Sequence, residues 1–382
     1  MTGVDATQVD DLRAGLRRFV ARELAPHVDA WDEAGEFPRE LYRRAGQLGL
    51  LGLGYPERLG GMPCDLATRL VAVEEIARAG SGGLLAGLFS HHIALPPLLA
   101  AGRAELQQRV IPPVLAGEAV AALAVTEPGG GSDVARLATT ARREGEHYVV
   151  DGEKVFITSG LRADWLTVAV RTGGPGAGGI SLMVVPGDAP GLARAPLKKM
   201  GWWCSDTAHL RFDGVRVPAQ HLIGDEHGGF GLIMENFNGE RLALAAGAVA
   251  FAQVAHDEAL DWARRRRTFG RALVEHQVVR HRLMDMRMRI AASRAFLRDV
   301  TRRLDTAGAA PDAETVADLC LLKNHATRTL QWCADAAVQI LGGMGYMRGT
   351  KSERIYREVK VMTIGGGTDE IMKELAARQL GV

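Results

Sequence analysis

In the first 118 residues, apolar side chains recur at three- and four-residue intervals, which is the spacing of helices with one buried face. One such stripe runs through Leu12, Leu16 and Phe19, and a second occupies residues 66–77. Proline and glycine separate the stripes, as expected for turns between helices. We therefore predict an N-terminal helical domain over residues 1–118.

Between residues 119 and 230 the pattern changes to short β-prone runs bounded by glycine, proline or aspartate. Runs of this kind include 122–126, 154–158 and 165–170. The dipeptide Asp151-Gly152 follows one run and precedes another, which predicts a tight hairpin turn at that point. We predict a small, all-β middle domain over residues 119–230.

Helical spacing returns after residue 231. Residues 242–254 are apolar almost all round, which predicts a helix that is buried on most of its faces. Further apolar stripes, at Leu283–Ala291 and Leu330–Val338, are typical of a helix bundle. The predicted C-terminal domain spans residues 231–382, so the fold class is α+β, with a β domain between two helical domains.

Composition limits the possible partners and the location. Among the 382 residues, 46 basic and 45 acidic side chains give a net charge of +1, so no field of one sign favours a nucleic-acid partner. The four cysteines contain no Cys-x-x-Cys pair, and we predict no metal site. With acidic residues near the N-terminus and no apolar signal segment, we expect a cytoplasmic protein.

The most apolar long stretch, residues 82–102, is interrupted by polar and helix-breaking residues. It contains the pairs His91-His92 and Pro96-Pro97. We predict buried helix and turn here, and no membrane span.

Two segments of the middle domain carry candidate chemistry. Residues 125–133 end a predicted strand in the glycine-rich run Gly129-Gly130-Gly131, whose backbone can approach a ligand closely, although such a run is also common in plain turns. In a second strand, alternation places Phe156 and Thr158 on one face, and an aromatic ring beside a hydroxyl suits a flat heterocycle. An ordinary half-buried strand would have the same pattern.

Taken together, these segments resemble the signature pair of the acyl-CoA dehydrogenases. The resemblance continues, in family order and spacing, over nearly the whole chain, at 266–270, 275–277, 339–343 and 365–371. It implies an acyl-CoA dehydrogenase-like fold, in which the middle domain is a small β-barrel and the C-terminal domain a four-helix bundle. It also implies FAD as the cofactor.

The resemblance assigns roles around the flavin. Thr126 and Thr158 would bond the flavin ring, and Phe156 would lie against the ring, where many family members have tryptophan. Ser132 would lie between the FAD phosphates and the pantetheine arm of the substrate. Thr368 and Glu370 would lie at the adenine-diphosphate end of FAD.

Other cofactor-binding residues would reach FAD from a neighbouring subunit. The resemblance therefore implies a homo-oligomer, typically a tetramer in this family. The residues with this predicted role are Arg266, Thr268, Phe269, Gln277, Gln339 and Gly343.

The reaction needs a base for the α-proton of the thioester. Many family members place a glutamate in the segment that matches residues 364–368, but this chain has Gly366 there. A subset, including the isovaleryl and long-chain enzymes, places the base before an arginine on the first long C-terminal helix, and Glu240-Arg241 matches that pattern. We predict Glu240 as the base; alternatively, it is an acid at a helix N-terminus favoured by the helix dipole.

The predicted substrate site comprises Ser132, Arg241, Gly365 and Gly366. The resemblance implies that the Gly366 N–H, with the flavin ribityl 2′-hydroxyl, still binds the thioester carbonyl, as in an oxyanion hole. Arg241 is expected to be a structural partner of this site. The absence of side chains at residues 365 and 366 predicts room for a branched acyl chain, unless Phe237 or Trp203 fills it.

The predicted function is FAD-dependent α,β-dehydrogenation of an acyl-CoA, with electrons passed to an electron-transfer flavoprotein. The sequence leaves three alternatives open: a flavin oxidase or monooxygenase on the same fold, a dehydrogenase of carrier-protein thioesters, and a catalytically silent flavin-binding subunit. Glu240-Arg241 favours the dehydrogenase over the oxidase and over the silent subunit.

Overall fold

The computed structural model describes residues 6–307 and 311–382. In the first helical part the apolar stripes face inward, with Leu16, Leu24 and Ile76 buried. The predicted helix over residues 66–77 is confirmed, and Asp65 begins it by accepting a hydrogen bond from Thr68 N. The helices of this part are α1 (Ala6–Phe19), α2 (Val28–Ala34), α3 (Glu40–Gln47), α4 (Leu66–Ala77), α5 (Gly82–Leu88), α6 (His91–Ala94), α7 (Pro96–Ala101) and α8 (Ala104–Leu115).

The apolar stretch 82–102 forms the three short helices α5, α6 and α7, and most of its side chains are buried. Within the described ranges, no single helix is long and apolar enough to cross a membrane. Gly82–Leu88 and His91–Ala101, bent by 50°, have the required length and composition only when taken as a pair. The prediction of buried helix and turn is confirmed.

The middle part is an eight-stranded sheet around its own apolar core. Its hydrogen-bonded order is β6-β7-β3-β2-β4-β5-β8, and β1 pairs in parallel with β4. The strands are β1 (Ala121–Ala124), β2 (Thr140–Glu144), β3 (His147–Thr158), β4 (Trp165–Arg171), β5 (Ile180–Pro186), β6 (Leu192–Pro196), β7 (Thr207–Pro218) and β8 (Leu222–Ile223).

The predicted hairpin at Asp151-Gly152 is wrong, because β3 continues through both residues. The turn lies instead between Glu144 and His147, which pair at the ends of β2 and β3. Gly152, with φ of +143°, lies at a register shift between β3 and β7, and a Cβ there would come within 2.6 Å of Thr139 Oγ1. The glycine therefore permits a bulge and a close contact, not a reversal of the chain.

The C-terminal part is built on α9, a helix of 37 residues whose many buried alanines let neighbouring helices approach closely. It packs with α4, α10, α11 and α13. The elements of this part are α9 (Gly229–Arg265), β9 (Arg267–Thr268), β10 (Arg271–Ala272), α10 (Gln277–Ala307), α11 (Ala313–Leu341), α12 (Gly343–Tyr346), α13 (Lys351–Met362) and α14 (Asp369–Leu380).

Helix α9 joins two of the apolar cores. Ile233, near its beginning, belongs to a core shared with α8 and the sheet, whereas Leu242 belongs to the core formed by the two helical parts. Glu240 lies between these residues, so packing on both sides fixes this section of the helix. The predicted fold class, with a β part between two helical parts, is confirmed.

Candidate active site

Glu240 lies inside α9, eleven residues after Gly229, where the helix begins. The influence of a helix dipole fades within the first turn, so this position gives a carboxylate little stabilisation of that kind. The alternative explanation of Glu240 as an acid at a helix N-terminus is therefore wrong. Its half-buried side chain faces the segment that links α13 to α14.

Gly366 lies directly opposite Glu240. A Cβ added at Gly366 would lie 3.7 Å from Glu240 Oε1 and 2.7 Å from Leu244 Cδ1. The φ angle of Gly366 is +66° and that of Gly367 is +108°, so both have a backbone conformation that residues with a side chain rarely adopt. The carboxylate of Glu240 thus occupies the space towards which a side chain at residue 366 would point.

Two cations hold the backbone of this glycine segment. Arg241 Nε donates a hydrogen bond of 3.3 Å to Gly366 O, and Arg241 Nη1 donates one of 3.0 Å to Asn238 Oδ1. From α11, Lys323 Nζ donates a hydrogen bond of 2.7 Å to Gly367 O. The expectation that Arg241 is a structural partner agrees with these contacts, whereas Lys323 was not predicted.

The electrostatics of the site favour a stronger base than an ordinary glutamate. Burial raises the pKa of Glu240, against the lowering effect of the positive charges of Arg241 and Lys323. Burial also lowers the pKa of Lys323 to about 8, although the negative charges of Asp369 and Glu240 oppose this shift. A carboxylate with a raised pKa binds a proton more readily, which is what removal of an α-proton requires.

The glycine-rich segment begins where β1 ends. Val155 N donates a hydrogen bond of 2.9 Å to Thr126 O, which places Thr126 beside the distal half of β3. Glu127 and Gly130 exchange backbone hydrogen bonds of 3.2 and 3.1 Å, so the loop contains a tight turn. Ser132 lies exposed beyond this turn.

A buried ion pair supports the loop. Lys154, which is 0% exposed, donates hydrogen bonds of 2.8 Å to Val125 O and to Glu127 Oε1. Burial opposes ionisation of Glu127, but the charge of Lys154 and several hydrogen bonds outweigh it and lower the pKa of Glu127. The sequence analysis missed both residues, although a lysine at an otherwise apolar position of a strand is a signal that could have found them.

Phe156 is held in an unusual backbone conformation. Its φ angle is +62°, it lies within a bulge between Lys154 and Ile157, and its ring is 69% exposed. Ile157 is buried, whereas Phe156 is exposed and Thr158 half-buried, so these two residues are the more accessible ones at the end of the strand. The bulge and the left-handed conformation were not predicted.

The residues predicted to reach FAD from another subunit lie at the ends of the C-terminal helices. Phe269 is 98% exposed, and the half-buried Thr268 lies with its Oγ1 3.1 Å from His276 Nε2. Within one chain, the structure does not gather these residues around Glu240. The exposed members of the set are Arg266, Phe269, Gln277, Gln339 and Gly343.

Thr368 begins α14 by accepting a hydrogen bond of 3.4 Å from Ile371 N. Glu370, in the first turn, is exposed, and hydrogen bonds from its own backbone N–H and from Thr368 lower its pKa. The side chain of Asn324 donates a hydrogen bond of 2.8 Å to Asp369 O, next to Thr368. Thr368 therefore has a structural role as a helix cap.

The residues on the sheet fit a flavin. Phe156 exposes a planar apolar ring while its backbone adopts a conformation that costs free energy, a combination that is usually retained for function. Thr126, whose carbonyl accepts a hydrogen bond from Val155 N, and the half-buried Thr158 are near neighbours of Phe156 along the paired backbone, and their hydroxyl groups can supply the hydrogen bonds that a flavin ring needs beside stacking.

Comparison with known proteins identifies the family of the chain. Models of the acyl-CoA dehydrogenase family match the chain in three consecutive pieces. The N-terminal domain model matches residues 7–118, the middle domain model residues 122–215, and the C-terminal domain model residues 227–381.

Individual relatives cover nearly the whole chain. The long-chain specific acyl-CoA dehydrogenase, mitochondrial, of Rattus norvegicus is 36% identical, over 98% of this chain and 87% of the relative. The cyclohexane-1-carbonyl-CoA dehydrogenase of Geobacter metallireducens is also 36% identical, over 96% of this chain and 95% of the relative. The crystal structure of a putative acyl-CoA dehydrogenase from Mycobacterium smegmatis has a TM-score of 0.95 and 46% identity, over 99% of this chain and 98% of that one. The chain therefore belongs to the acyl-CoA dehydrogenase family and is a flavin-dependent oxidoreductase.

Proposed function

We propose that the protein oxidises an acyl-CoA thioester to the trans-2-enoyl thioester, with Glu240 as the base that removes the α-proton. One observation carries the assignment of the base: Glu240 Oε1 lies 3.7 Å from where a Cβ at Gly366 would be. Glu240 thus reaches the space that a glutamate side chain at residue 366, the more common position of the base in the family, would enter. A base at either position can approach the same substrate carbon.

In this proposal Glu240 and Gly366 act on opposite ends of the enolate system. The Gly366 N–H donates a hydrogen bond to the thioester carbonyl and stabilises the negative charge that develops there. Glu240 takes the α-proton on a carboxylate oxygen, and its raised pKa favours that transfer. Arg241 keeps the glycine segment in place while the charge moves.

Residues of the middle part would hold FAD. Phe156 would lie against the flavin ring, Thr126 and Thr158 would bond the ring, and Ser132 would bind near the phosphates and the pantetheine arm. When bound, FAD supplies the acceptor for the β-hydride. Thr368 and Glu370 would lie at the adenine-diphosphate end of the cofactor.

The exposed residues predicted to reach FAD from a neighbouring subunit would complete the site in an oligomer. A side chain as large and apolar as that of Phe269, exposed at 98%, gains from burial against a second copy of the chain. Arg266, exposed at the C-terminal end of α9, would contact FAD phosphates of that copy. We further propose that electrons leave to an electron-transfer flavoprotein.

The test is anaerobic mixing of the purified yellow protein with acyl-CoAs of different chain length and branching. Acyl-CoA-dependent bleaching of the flavin, followed by rapid reoxidation with an electron-transfer flavoprotein and slow reoxidation with oxygen, supports the proposal. Rapid reoxidation by oxygen alone would indicate an oxidase. Bleaching by carrier-protein thioesters only would change the substrate class, and the absence of bleaching with every thioester would contradict catalysis.

A further inference from the structure

Lys323 is a buried cation that the reaction as described so far does not use. It lies on α11 and is 0% exposed, and lysine is rarely buried so completely unless its ammonium group is satisfied. Its Nζ donates a hydrogen bond of 2.7 Å to Gly367 O, so its partner is a backbone carbonyl in the glycine segment. This contact connects α11 to the loop that carries Gly366.

The contact belongs to a set of side chains of α11 that bind the beginning of α14. Asn324, the next residue, donates to Asp369 O at 2.8 Å, and Arg328 Nε lies 2.7 Å from Asp369 Oδ2. Together with Lys323, these residues bind the chain on both sides of Thr368. The backbone conformation of the glycine segment is therefore set from α11 as well as from α9.

Gly366 and Gly367 need such support, because both have positive φ angles and no side chain to pack. Arg241 binds the carbonyl of Gly366 from α9, and Lys323 binds the carbonyl of Gly367 from α11. The two cations hold consecutive peptide groups from opposite helices. The Gly366 N–H belongs to the peptide group immediately before these two, so their orientation helps to set its direction relative to Glu240.

Lys323 also contributes charge near the base. The charged and titratable groups that interact with Glu240 or with Lys323 come from three helices: Arg241 on α9, Cys320 on α11 and Asp369 on α14. Within this set the positive charge of Lys323 favours the ionised form of Glu240. Without Lys323, Arg241 would be the remaining positive charge of this set that acts on the Glu240 carboxylate.

We propose that Lys323 is a positioning residue of the reaction: it fixes the Gly366–Gly367 turn through the Gly367 carbonyl and keeps a positive charge beside Glu240. This inference rests on the proposed function, because it requires Glu240 to act as the base. It assigns Lys323 no contact with the substrate.

The experiment compares wild type with Lys323→Met and Lys323→Arg, all as FAD-loaded proteins. In Lys323→Met we expect the limiting rate of flavin reduction to fall about 10- to 100-fold, which is no more than the fall caused by removing an oxyanion-hole donor. The acyl-CoA concentration that gives half of the limiting rate should change little. The rate is expected to rise with pH as the base ionises, and this rise is called the acid limb. The acid limb should move to higher pH in Lys323→Met, because removal of a positive charge raises the pKa of a carboxylate. Lys323→Arg should keep the limb in place and recover much of the rate.

A second readout does not depend on turnover. Acetoacetyl-CoA carries an acidic α-proton and can bind as an enolate, so the pH dependence of its dissociation constant reports stabilisation of negative charge at the site. Lys323→Met should bind it more weakly than wild type does, by about the same factor as the loss in rate. Equal affinity in both proteins would contradict the positioning role.

Lys199→Met is the matched control. Lys199 is half-buried and likewise binds backbone carbonyls, of Trp202 and Ser205, but its charged neighbours do not include Glu240. Its substitution should lower the melting temperature without moving the acid limb. If Lys323→Met behaves in the same way as this control, Lys323 is only structural and the proposal is overturned.

Two further comparisons keep the outcomes separate. If Lys323→Met does not fold, wild type and Lys323→Arg are compared above pH 8, where Lys323 loses its proton and arginine does not. The affinity for the enolate of acetoacetyl-CoA should then fall only in wild type. The same dependence of this affinity on pH in both proteins would overturn the proposal. Glu240→Gln is measured in parallel. Normal flavin reduction in that variant would overturn the proposed function, whereas its inactivity beside an unaffected Lys323→Met would overturn only this inference.

Discussion

Glu240 Oε1 lies 3.7 Å from where a Cβ at Gly366 would be, although the two residues are 126 positions apart in the sequence. One belongs to α9 and the other to the segment between α13 and α14. If Glu240 is the base, as proposed, its carboxylate reaches from α9 the space beside residue 366.

The backbone conformation at residue 366 should require a glycine. Gly366→Ala is expected to destabilise the protein by about 1–2 kcal/mol, because a side chain in the left-handed region is strained. Gly365→Ala is the matched control, since Gly365 has no positive φ angle and a Cβ there would meet only Val361 O, at 3.3 Å. Thermal denaturation should rank wild type and Gly365→Ala above Gly366→Ala; an equal loss in both variants would contradict the backbone argument.

Phe156→Gly should separate stability from cofactor binding. Removal of the side chain relieves the left-handed strain, so the apoprotein should gain about 1 kcal/mol of stability. The affinity for FAD should fall, because burial of a phenylalanine ring contributes about 1.5–3 kcal/mol. Melting of the apoprotein and titration with FAD measure the two effects. An unchanged affinity for FAD would remove Phe156 from the flavin site.

Lys154→Met should leave Glu127 buried without its cation, since the side chains of Lys154 and Glu127 are 0% and 10% exposed. Breaking a buried pair in this way is expected to cost about 3 kcal/mol and to loosen the glycine-rich loop, which lowers FAD retention. The double variant Lys154→Met/Glu127→Gln removes the uncompensated charge and should regain part of the stability. Thermal melting and flavin release measure both effects. If the double variant is no more stable than the single one, the ion pair does not explain the loss.

A branched acyl chain should be accepted near the thioester. Gly365 leaves space beside the segment, and Trp203 does not fill it, because its ring lies between Arg348 and Arg357, with each guanidinium carbon within 4.3 Å of the ring centre. Leu244, not Phe237, takes part of the room at Gly366.

The measurement compares flavin reduction by isovaleryl-, citronellyl-, butyryl- and octanoyl-CoA in wild type and in Gly365→Tyr. Wild type should prefer a branched chain by roughly tenfold, and the tyrosine should reduce that preference. A preference of wild type for straight chains, with no change of the ratio in the variant, would show that the glycines do not shape specificity.

Much of this fold was predictable, because long stripes of apolar residues define helices such as α4 and α9 without knowledge of their partners. Local exceptions were not predictable from periodicity. Asp151-Gly152 has the composition of a hairpin turn, but the glycine serves a bulge and a close contact with Thr139. Phe156 lies in a second bulge, and its left-handed backbone depends on the pairing of β3 with β7.

The candidate site was partly accessible from the sequence, since the family resemblance pointed to Glu240, Arg241 and Gly366. Lys323 and Lys154 were missed for a physical reason. A lysine usually lies on the surface, and the cost of burying it is offset here by backbone carbonyls that are distant in sequence. Only the assembled fold brings those carbonyls to the ammonium groups.

The central claim is that Glu240 is the base, and anaerobic single-turnover reduction of Glu240→Gln tests it most directly. The variant should keep FAD and bind the acyl-CoA, but reduce its flavin roughly 10²–10⁴-fold more slowly than wild type. The wild-type rate should rise with pH through an inflection above the ordinary glutamate value of 4.5, because burial raises the pKa of Glu240 and only the ionised form accepts the proton. Reduction of Glu240→Gln at a rate near that of wild type, with the same dependence on pH, would contradict the account.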